Sequence, residues 1–262
     1  MGGVSLGTMK RAPLAAACIT MSACGSFGAA GAPAGDVDAS TVGALDGGGA
    51  DGPGPVDAAL PDALFCARAP KDGVLFCNDF DGPGAFTDGW SDLSSYNGKL
   101  LSAVSFGANR AAGVKGAAAN AQFDRLASPA LSVPAATTSA ELEFKILLTR
   151  ALTKAEILTI EVPVENDAVN LVLDGDRLFI RLGSTESSGV PLGVGAWTRV
   201  VLRVDLTGMT LRTPTGAETL SISTQGLAGQ VDAHVAAGLY YKQDPGELDY
   251  ALDDILFTAT AR

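Results

Sequence analysis

The sequence predicts an all-β domain in which two antiparallel sheets pack face to face, and three observations support this prediction. Many short segments after Leu64 alternate apolar with polar residues, which is the period of a half-buried strand. Turn signals rich in glycine and aspartate separate these segments at regular spacing. No segment in this part shows a long helical period with caps, although NRAAGVKGAAANAQF leaves room for one turn of helix. About a dozen short strands of this kind are typical of a sandwich.

The clearest alternation occurs in the segments SAELEFKILL and WTRVVLRVDL. Apolar residues alternate with Glu141 and Glu143 in the first segment and with Arg199 and Arg203 in the second. The residues expected to point inward are Leu142, Phe144, Ile146, Leu148, Val200, Leu202, Val204 and Leu206. Both segments are therefore expected to be strands with one buried face and one solvated face.

Three short turn sequences predict β-hairpins. AVNLVLDGDRLFIRL has two apolar runs around Asp174-Gly175-Asp176. VDLTGMTLRTPTGAETLSIS has two further turns, centred on Thr207-Gly208 and Thr215-Gly216. Glycine in such positions favours tight turns, so consecutive strands are expected to pair.

The N-terminus has the composition of an export signal. In MKRAPLAAACITMSACG, Lys10 and Arg11 form a basic start before the apolar run Ala12–Thr20, which is too short to span a bilayer. The tetrapeptide MSAC resembles the lipobox of bacterial lipoproteins, with methionine where leucine is usual. This resemblance implies that Cys24 is lipid-modified and begins the mature chain. The alternative is an ordinary secretory signal cleaved near Ala23.

Three regions are predicted along the chain: a lipoprotein signal peptide at 1–23, a disordered tether at 24–61 and a folded domain at 62–262. The tether is rich in glycine, alanine, proline and aspartate, and Gly25–Pro61 contains no lysine or arginine. Such a composition cannot bury enough apolar surface to offset the entropy of ordering the chain.

The charge of the chain excludes several classes of partner. The 262 residues have a formal net charge of -11, so nucleic acid and anionic membrane surfaces are not expected as partners, and membrane contact is expected through the lipid anchor only. With His234 as the single histidine and no closely spaced thiols, zinc, haem and iron–sulfur sites lack their usual ligands. The composition does not exclude a calcium site with oxygen ligands.

Cys66 and Cys77 are close enough in sequence to close a short loop. In an exported protein this spacing predicts a disulfide, which would stabilise the domain by about 2–3 kcal/mol. The alternative is a pair of reduced, buried thiols.

Three further segments together resemble concanavalin A-like jelly rolls. They are LFCNDFDGPGAFTDGW, GAWTRVVLRVDLTGMTLRT and ELDYALDDILF, and the resemblance covers Leu64 to the C-terminus. This group includes laminin-G-like modules, legume-type lectins, family 16 glycoside hydrolases and several polysaccharide lyases. The resemblance implies that the first and last strands lie side by side.

The hydrolase motif of this group is incomplete in the sequence. A retaining glycosidase requires two carboxylates about 5 to 5.5 Å apart, which strands supply at every second position. Glu141 and Glu143 are followed by Lys145 where the third acid of the motif would stand, and the segment comes too early in the chain. We interpret these glutamates as the solvated face of a strand.

Part of a motif typical of polysaccharide lyases is present in the sequence. AAGLYYKQ resembles the Lys-Ala-Gly-x-Tyr-x-Gln strand of alginate-lyase-like jelly rolls, which implies an acid or base role for Tyr240, but Lys242 replaces the last glutamine. AEILTIEVPV lacks the Gln-x-His of that group, and AELEFKI stands in place of its Arg-x-Glu-Leu-Arg strand. His234 is interpreted as a structural residue. The strand is expected to be kept and the active site lost.

The resemblance also implies a structural calcium ion where the last strand meets the first. Asp253 or Asp254 would supply one carboxylate, and Asp79 or Asp81 the other. The alternative is that these acids cap turns and face water.

Aromatic side chains that could stack on sugar rings are few. Tyr96, Tyr240 and Tyr241 are the candidate ligand-binding residues, because an exposed ring offers an apolar face to the C–H groups of a sugar. Trp90 is a further candidate, but Trp90 and Trp197 are both expected to pack in the core or at its rim.

Three possibilities for the function follow from these expectations. The first is a non-catalytic, lipid-anchored protein of the bacterial cell envelope, expected at the outer membrane, which binds a glycan or another extracellular polymer. The alternative is a divergent polysaccharide lyase or glycoside hydrolase that uses Tyr240. A structural envelope protein without a ligand is the third possibility.

Overall fold

The computed structural model describes residues 65–107, 109–118, 123–161, 168–221, 227–242 and 246–261. All of them belong to one compact unit, Asp51–Arg262. These residues form two antiparallel sheets of eight strands each and one short helix, α1 (Phe65–Arg68). The predicted all-β sandwich is confirmed.

The first sheet has the strand order β14-β13-β12-β6-β16-β4-β3, and β1 pairs with β16 beside this path. Its strands are β1 (Val74–Asn78), β3 (Leu101–Phe106), β4 (Asn109–Ala118), β6 (Thr137–Ala151), β12 (Trp197–Asp205), β13 (Gly208–Thr213), β14 (Gly216–Leu220) and β16 (Gly246–Ala261).

The second sheet has the order β10-β9-β8-β7-β15-β5-β2, and β11 pairs with β9. Its strands are β2 (Asp92–Tyr96), β5 (Phe123–Ala127), β7 (Ala155–Glu161), β8 (Val169–Asp174), β9 (Arg177–Leu182), β10 (Thr185–Glu186), β11 (Val190–Pro191) and β15 (His234–Lys242).

The last strand joins the two ends of the domain. β16 pairs with β6 along its length, with β4 through its first half and with β1 through its second half. Phe76 lies opposite Phe257, and Asn78 lies opposite Ile255. Ile255 and Phe257 are fully buried. The first and last strands therefore lie side by side, as the resemblance implied.

The core lies between the sheets and is built from the alternating apolar residues. Leu142, Phe144 and Ile146 of β6 are fully buried, whereas Leu206 was wrongly predicted to point inward. β12 ends at Asp205, so Leu206 falls in the turn, where it is 54% exposed. The alternation identified the strand but not its last residue.

The expected turn of helix is wrong for Asn109–Ala118, which forms strand β4, while 119–122 lie outside the described residues. This segment is mostly alanine and glycine, whose small side chains suit a crowded position in the sheet. A Cβ on Gly113 would lie 2.6 Å from Val104 of the neighbouring strand. Pairing with β3 and β16 therefore overrides the local preference of alanine for helix.

The three predicted hairpins form. β8 and β9 are joined through Gly175 and Asp176, and Gly175 has a φ of 60°. The turns between β12 and β13 and between β13 and β14 each lie one residue earlier than predicted. In the first of them, Asp205 Oδ1 accepts hydrogen bonds from the N–H and hydroxyl of Thr207, at 2.8 and 2.6 Å.

A disulfide joins Cys66 to Cys77, as predicted, and links helix α1 to strand β1. Beside it, Trp90 packs between Phe76 and Phe80, with ring centroids 4.8 and 5.8 Å away. Trp90 is 9% exposed, so it is a core residue and not a ligand platform.

Residues 1–64 lie outside the described residues, and with them Cys24 and the predicted signal peptide and tether. Within the described ranges, no helix has the length and apolar character needed to cross a membrane.

Candidate binding face

The outer face of the second sheet brings together most of the candidate ligand-binding residues. Residues directly opposite each other in antiparallel strands share a face. Tyr96 lies opposite Phe123, and Leu239 pairs with Asp124, which places Tyr240 beside Phe123. Asp124 and Leu239 are buried on the inner face, so Tyr96, Phe123 and Tyr240 lie on the outer face. We call these three side chains the aromatic row.

The aromatic row has one ring on each of three neighbouring strands, and its two outer rings are exposed. The rings of Tyr96 and Phe123 stack with centroids 5.7 Å apart. Tyr96 is 54% exposed and Tyr240 is 37% exposed. Exposed aromatic rings on a rigid sheet can pack against the apolar C–H faces of sugar rings.

Arg125 packs against the ring of Tyr240. The guanidinium carbon of Arg125 lies 4.5 Å from the centroid of the Tyr240 ring, a cation–π geometry. Arg125 also forms an ion pair with Glu161 of β7, and both side chains are about three-quarters buried. This arrangement fixes the Tyr240 ring, since it packs against a guanidinium that is itself held by a carboxylate.

On the outer face of the second sheet, polar side chains follow the aromatic row across the neighbouring strands. Thr159 lies opposite Asn170, and the Thr159 hydroxyl donates to Asn170 Oδ1 at 2.9 Å. Asn170 in turn lies opposite Arg181, which forms an ion pair with Glu156. The centre of this face is therefore polar.

Gly238 explains why the lyase-like strand needs a glycine. Its φ is 120°, and a Cβ there would lie 2.6 Å from the carbonyl oxygen of Asp124 on β5. The Gly238 carbonyl also accepts a hydrogen bond from the buried hydroxyl of Tyr250, at 2.9 Å. Close packing of β15 against β5 therefore requires a glycine at position 238, with no need of a catalytic role for the strand.

His234 is distant from Tyr240. The two residues lie on the same strand, and Tyr240 comes six positions later, a separation of about 20 Å at the usual rise of a strand. His234 Nδ1 lies 2.9 Å from the Ser128 carbonyl oxygen, so its N–H donates to that carbonyl. His234 and Tyr240 therefore do not meet at one sugar residue.

Tyr241, the third candidate, is placed by its backbone. It lies opposite Glu156 of β7, at a bulge in the pairing of β15 with β7. Its side chain lies outside the described residues.

The candidate calcium ligands meet where β1 approaches β16. Asp253 and Asp254 are buried, and Asp254 has a φ of 51°. Burial and the charge of Asp254 raise the pKa of Asp253 to about 9, and the charges of Asp81 and Asp79 add to the shift. Asp253 Oδ2 is buried without a hydrogen-bond partner among the described residues.

Three of the four acids in this cluster already have protein partners. Lys145 Nζ of β6 lies 2.8 Å from Asp254 Oδ2, so that carboxylate already has a cationic partner. Asp79 Oδ2 accepts from the Cys66 N–H and Asp81 Oδ1 from the Arg110 N–H. Among the described residues, no three or more acids, histidines or cysteines are grouped to hold a metal. The calcium site stays a prediction.

Glu141 and Glu143 lie on the outer face of the first sheet, as interpreted from the sequence. Glu143 binds the guanidinium of Arg199 through both oxygens, at 2.5 and 2.7 Å. Glu141 pairs with Arg203 at 3.3 Å. Each glutamate thus has a basic partner on β12.

The sequence interpretation missed Arg125, Glu161 and Phe123. FDRLA alternates Phe123 and Arg125 with the buried Asp124 and Leu126, so the alternation could have identified the strand. Its position beside β15 could not be found in the same way, because Arg125 and its partner Gly238 are 113 positions apart in the sequence.

No protein-family model matches this chain. No curated protein matches it significantly. Among solved structures, it is similar to the cellulose-induced protein Cip1, with 12% sequence identity and a TM-score of 0.51 over 71% of this chain and 97% of that one. At this identity the similarity shows the fold alone, a concanavalin A-like jelly roll.

Two alginate lyases are also similar in structure. One, from polysaccharide lyase family 7, has 14% identity and a TM-score of 0.39 over 58% of this chain and 78% of that one. The other, from Corynebacterium sp., has 13% identity and a TM-score of 0.42 over 57% of this chain and 77% of that one. Neither similarity is strong enough to support an argument about function.

Proposed function

We propose that this protein is a non-catalytic, lipid-anchored envelope protein that binds an extracellular glycan on the outer face of its second sheet. The observation that supports this most directly is the aromatic row, in which the exposed rings of Tyr96 and Tyr240 flank Phe123. The protein binds the apolar faces of sugar rings there, while the partly exposed side chain of Asn170, held by the buried hydroxyl of Thr159, offers a hydrogen-bonding group to the hydroxyls.

The binding face suits a polymer better than a small molecule. From β2 to β9 the sheet has five strand spacings, which corresponds to about 24 Å across the strands. A linear glycan extends over this distance, and its affinity is the sum of several weak contacts. Each residue therefore contributes modestly to the affinity. Two aromatic residues have to be replaced together for a large loss of binding.

The alternative, a lyase that uses Tyr240, is favoured by one observation. Arg125 lies against the Tyr240 ring, where a residue that neutralises a substrate carboxylate would be needed. Two features oppose it: Arg125 is already paired with Glu161, and His234 lies about 20 Å from Tyr240 along the strand. Among the described side chains, Arg125 is therefore not free to neutralise a substrate carboxylate, and no histidine base lies near Tyr240.

Substitutions at Tyr240 distinguish the two functions, because binding needs the ring and catalysis needs the hydroxyl. Retardation in gels containing polysaccharide is expected to persist in Tyr240→Phe and to fall about tenfold in Tyr96→Ala/Tyr240→Ala, which corresponds to about 1.4 kcal/mol. The absorbance of unsaturated lyase products is measured beside it. Product formation that disappears in Tyr240→Phe would establish the lyase and reject the proposal.

The anchor places this face outside the cell membrane. In this proposal Cys24 carries the lipid, and the tether predicted at 24–61 separates it from the domain. At about 5–6 Å times the square root of its length, a flexible tether of this kind holds the domain roughly 35 Å from the membrane. That distance leaves the binding face free to contact a polymer of the envelope.

A further inference from the structure

The outer face of the second sheet carries acidic and basic side chains in equal number at three positions. Arg125 pairs with Glu161, Arg181 pairs with Glu156, and Lys154 Nζ lies 2.6 Å from Glu186 Oε1. We call these three pairs the ion-paired band. It extends from β5, beside the aromatic row, to β10 at the other side of the sheet.

The ion-paired band is held tightly. Its six side chains are between 7% and 25% exposed, so each pair is partly desolvated and less screened than an ordinary surface pair. Two of the cations are also in contact with an aromatic ring: Arg125 with Tyr240, and Lys154 Nζ at 5.5 Å from the centroid of Phe179. The positions of these charges are therefore fixed before a ligand binds.

This arrangement determines how the face responds to an anionic polymer. A ligand carboxylate that approaches Arg125, Arg181 or Lys154 competes with an internal glutamate that is already in place, at a high effective concentration. Displacing that glutamate leaves a partly buried carboxylate next to a second anion, which is strongly unfavourable. Arg177, at the margin of the face, donates instead to the carbonyls of Ser188 and Gly189.

An uncharged polymer neither competes with the glutamates for their cations nor brings a second anion next to them. Sugar hydroxyls accept from the outer N–H groups of a paired arginine and donate to the outer oxygens of a paired glutamate, so the ion pairs stay intact. The rings of the aromatic row contact the C–H groups of a sugar, which an uncharged polymer also offers. The net charge of -11 adds a general repulsion of polyanions.

We propose, on the basis of the proposed function, that the glycan bound by the second sheet is uncharged, and that the ion-paired band excludes polyuronates. The glutamates of the band are specificity-determining residues. Glu161 is the most important of them, because its partner Arg125 lies beside the aromatic row.

The test is electrophoresis of the full chain through gels that contain one polysaccharide each. The uncharged probes are hydroxyethylcellulose, xyloglucan and glucomannan, and the polyuronates are alginate and polygalacturonate. The wild-type protein is expected to be retarded by at least one uncharged probe and by neither polyuronate. Glu161→Gln, which frees Arg125 and keeps the shape of the side chain, is expected to gain salt-sensitive retardation by alginate of at least fivefold.

Glu141→Gln is the matched control, because Glu141 pairs with Arg203 on the first sheet. It is expected to behave as the wild type does. Retardation of the wild type by a polyuronate, lost in Tyr96→Ala/Tyr240→Ala, would overturn this inference while leaving the proposed function intact. No retardation by any probe, or retardation that the two tyrosine changes leave unaltered, would overturn the proposed function and the inference with it.

Discussion

Asp253 shows how one buried residue makes the stability of this domain depend on pH. Its carboxyl is fully buried, and its pKa is raised to about 9 by burial first and then by the charge of Asp254. The folded protein therefore holds a proton that the unfolded chain releases above its ordinary pKa of 3.8. Stability is greatest below that value and is lost as the pH rises towards 9, by up to about 1.4 kcal/mol per pH unit.

Asp253→Asn is expected to remove this dependence, because the amide does not ionise. The free energy of unfolding of both proteins is measured by urea denaturation in EDTA. The variant is expected to exceed the wild type by more at pH 8 than at pH 5. Asp249→Asn is the control, since Asp249 forms a more exposed pair with Lys115. An advantage of equal size at both pH values would show that Asp253 is not protonated in the folded state.

The same variant tests the predicted calcium ion. If the cluster of Asp79, Asp81, Asp253 and Asp254 binds calcium, the melting temperature of the wild type rises when calcium replaces EDTA. Asp253→Asn is expected to lose that rise. An identical melting temperature of the wild type in calcium and in EDTA would reject the calcium site.

Gly238 offers a second prediction for a single residue. Gly238→Ala is expected to destabilise the domain by at least about 1–3 kcal/mol, because the left-handed φ and the contact with the Asp124 carbonyl both oppose a Cβ. Gly195→Ala is the control: Gly195 has a φ of 78°, but a Cβ there would meet no atom within 4 Å. Equal losses in chemical denaturation would show that the close approach of β5 is not important.

At the scale of elements, the pairing of β1 with β16 connects the ends of the domain. Removing the residues after Tyr250 strips Ile255 and Phe257 from the core, each worth about 1.5–3 kcal/mol of burial, and leaves β1 without its partner. We expect this truncation to abolish cooperative unfolding, since domains are stable by only about 5–15 kcal/mol.

Deletion of Gly25–Pro61 is the matched comparison for that truncation. It removes a longer segment, but one that is predicted to lie outside the folded domain, so the melting temperature is expected to stay almost unchanged. A loss as large as that of the C-terminal truncation, in calorimetry, would contradict the predicted domain boundary.

The elements also show what the sequence could and could not predict. In β6 and β12, apolar residues alternate with polar ones because one face of each strand is buried. This pattern was visible in the sequence, and the two strands are confirmed. β4 was not recognised, because alanine and glycine carry no such pattern and its strand conformation depends on its neighbours in the sheet. The junction of β5 with β15, which brings Arg125 to Tyr240, is a tertiary contact between distant segments and has no local signature.

At the scale of the whole molecule, the proposed function requires that the domain be exported and held at the envelope. Cys24→Ala is expected to shift the expressed protein from the detergent phase to the aqueous phase in detergent partitioning, because a lipid-modified cysteine supplies the hydrophobic anchor. Equal partitioning of Cys24→Ala and the wild type would rule out the anchor.

Hydroxyl-radical footprinting of the full chain locates the bound ligand, which we propose lies on the outer face of the second sheet. Tyr96 and Leu206 are both 54% exposed, but Tyr96 belongs to the aromatic row and Leu206 to a turn of the first sheet. The probe is the polysaccharide that retards the protein most strongly in the gel assay. We predict that this probe slows oxidation of Tyr96 and Tyr240 and leaves Leu206 unchanged. Protection of Leu206 with unaltered oxidation of both tyrosines would contradict the claim.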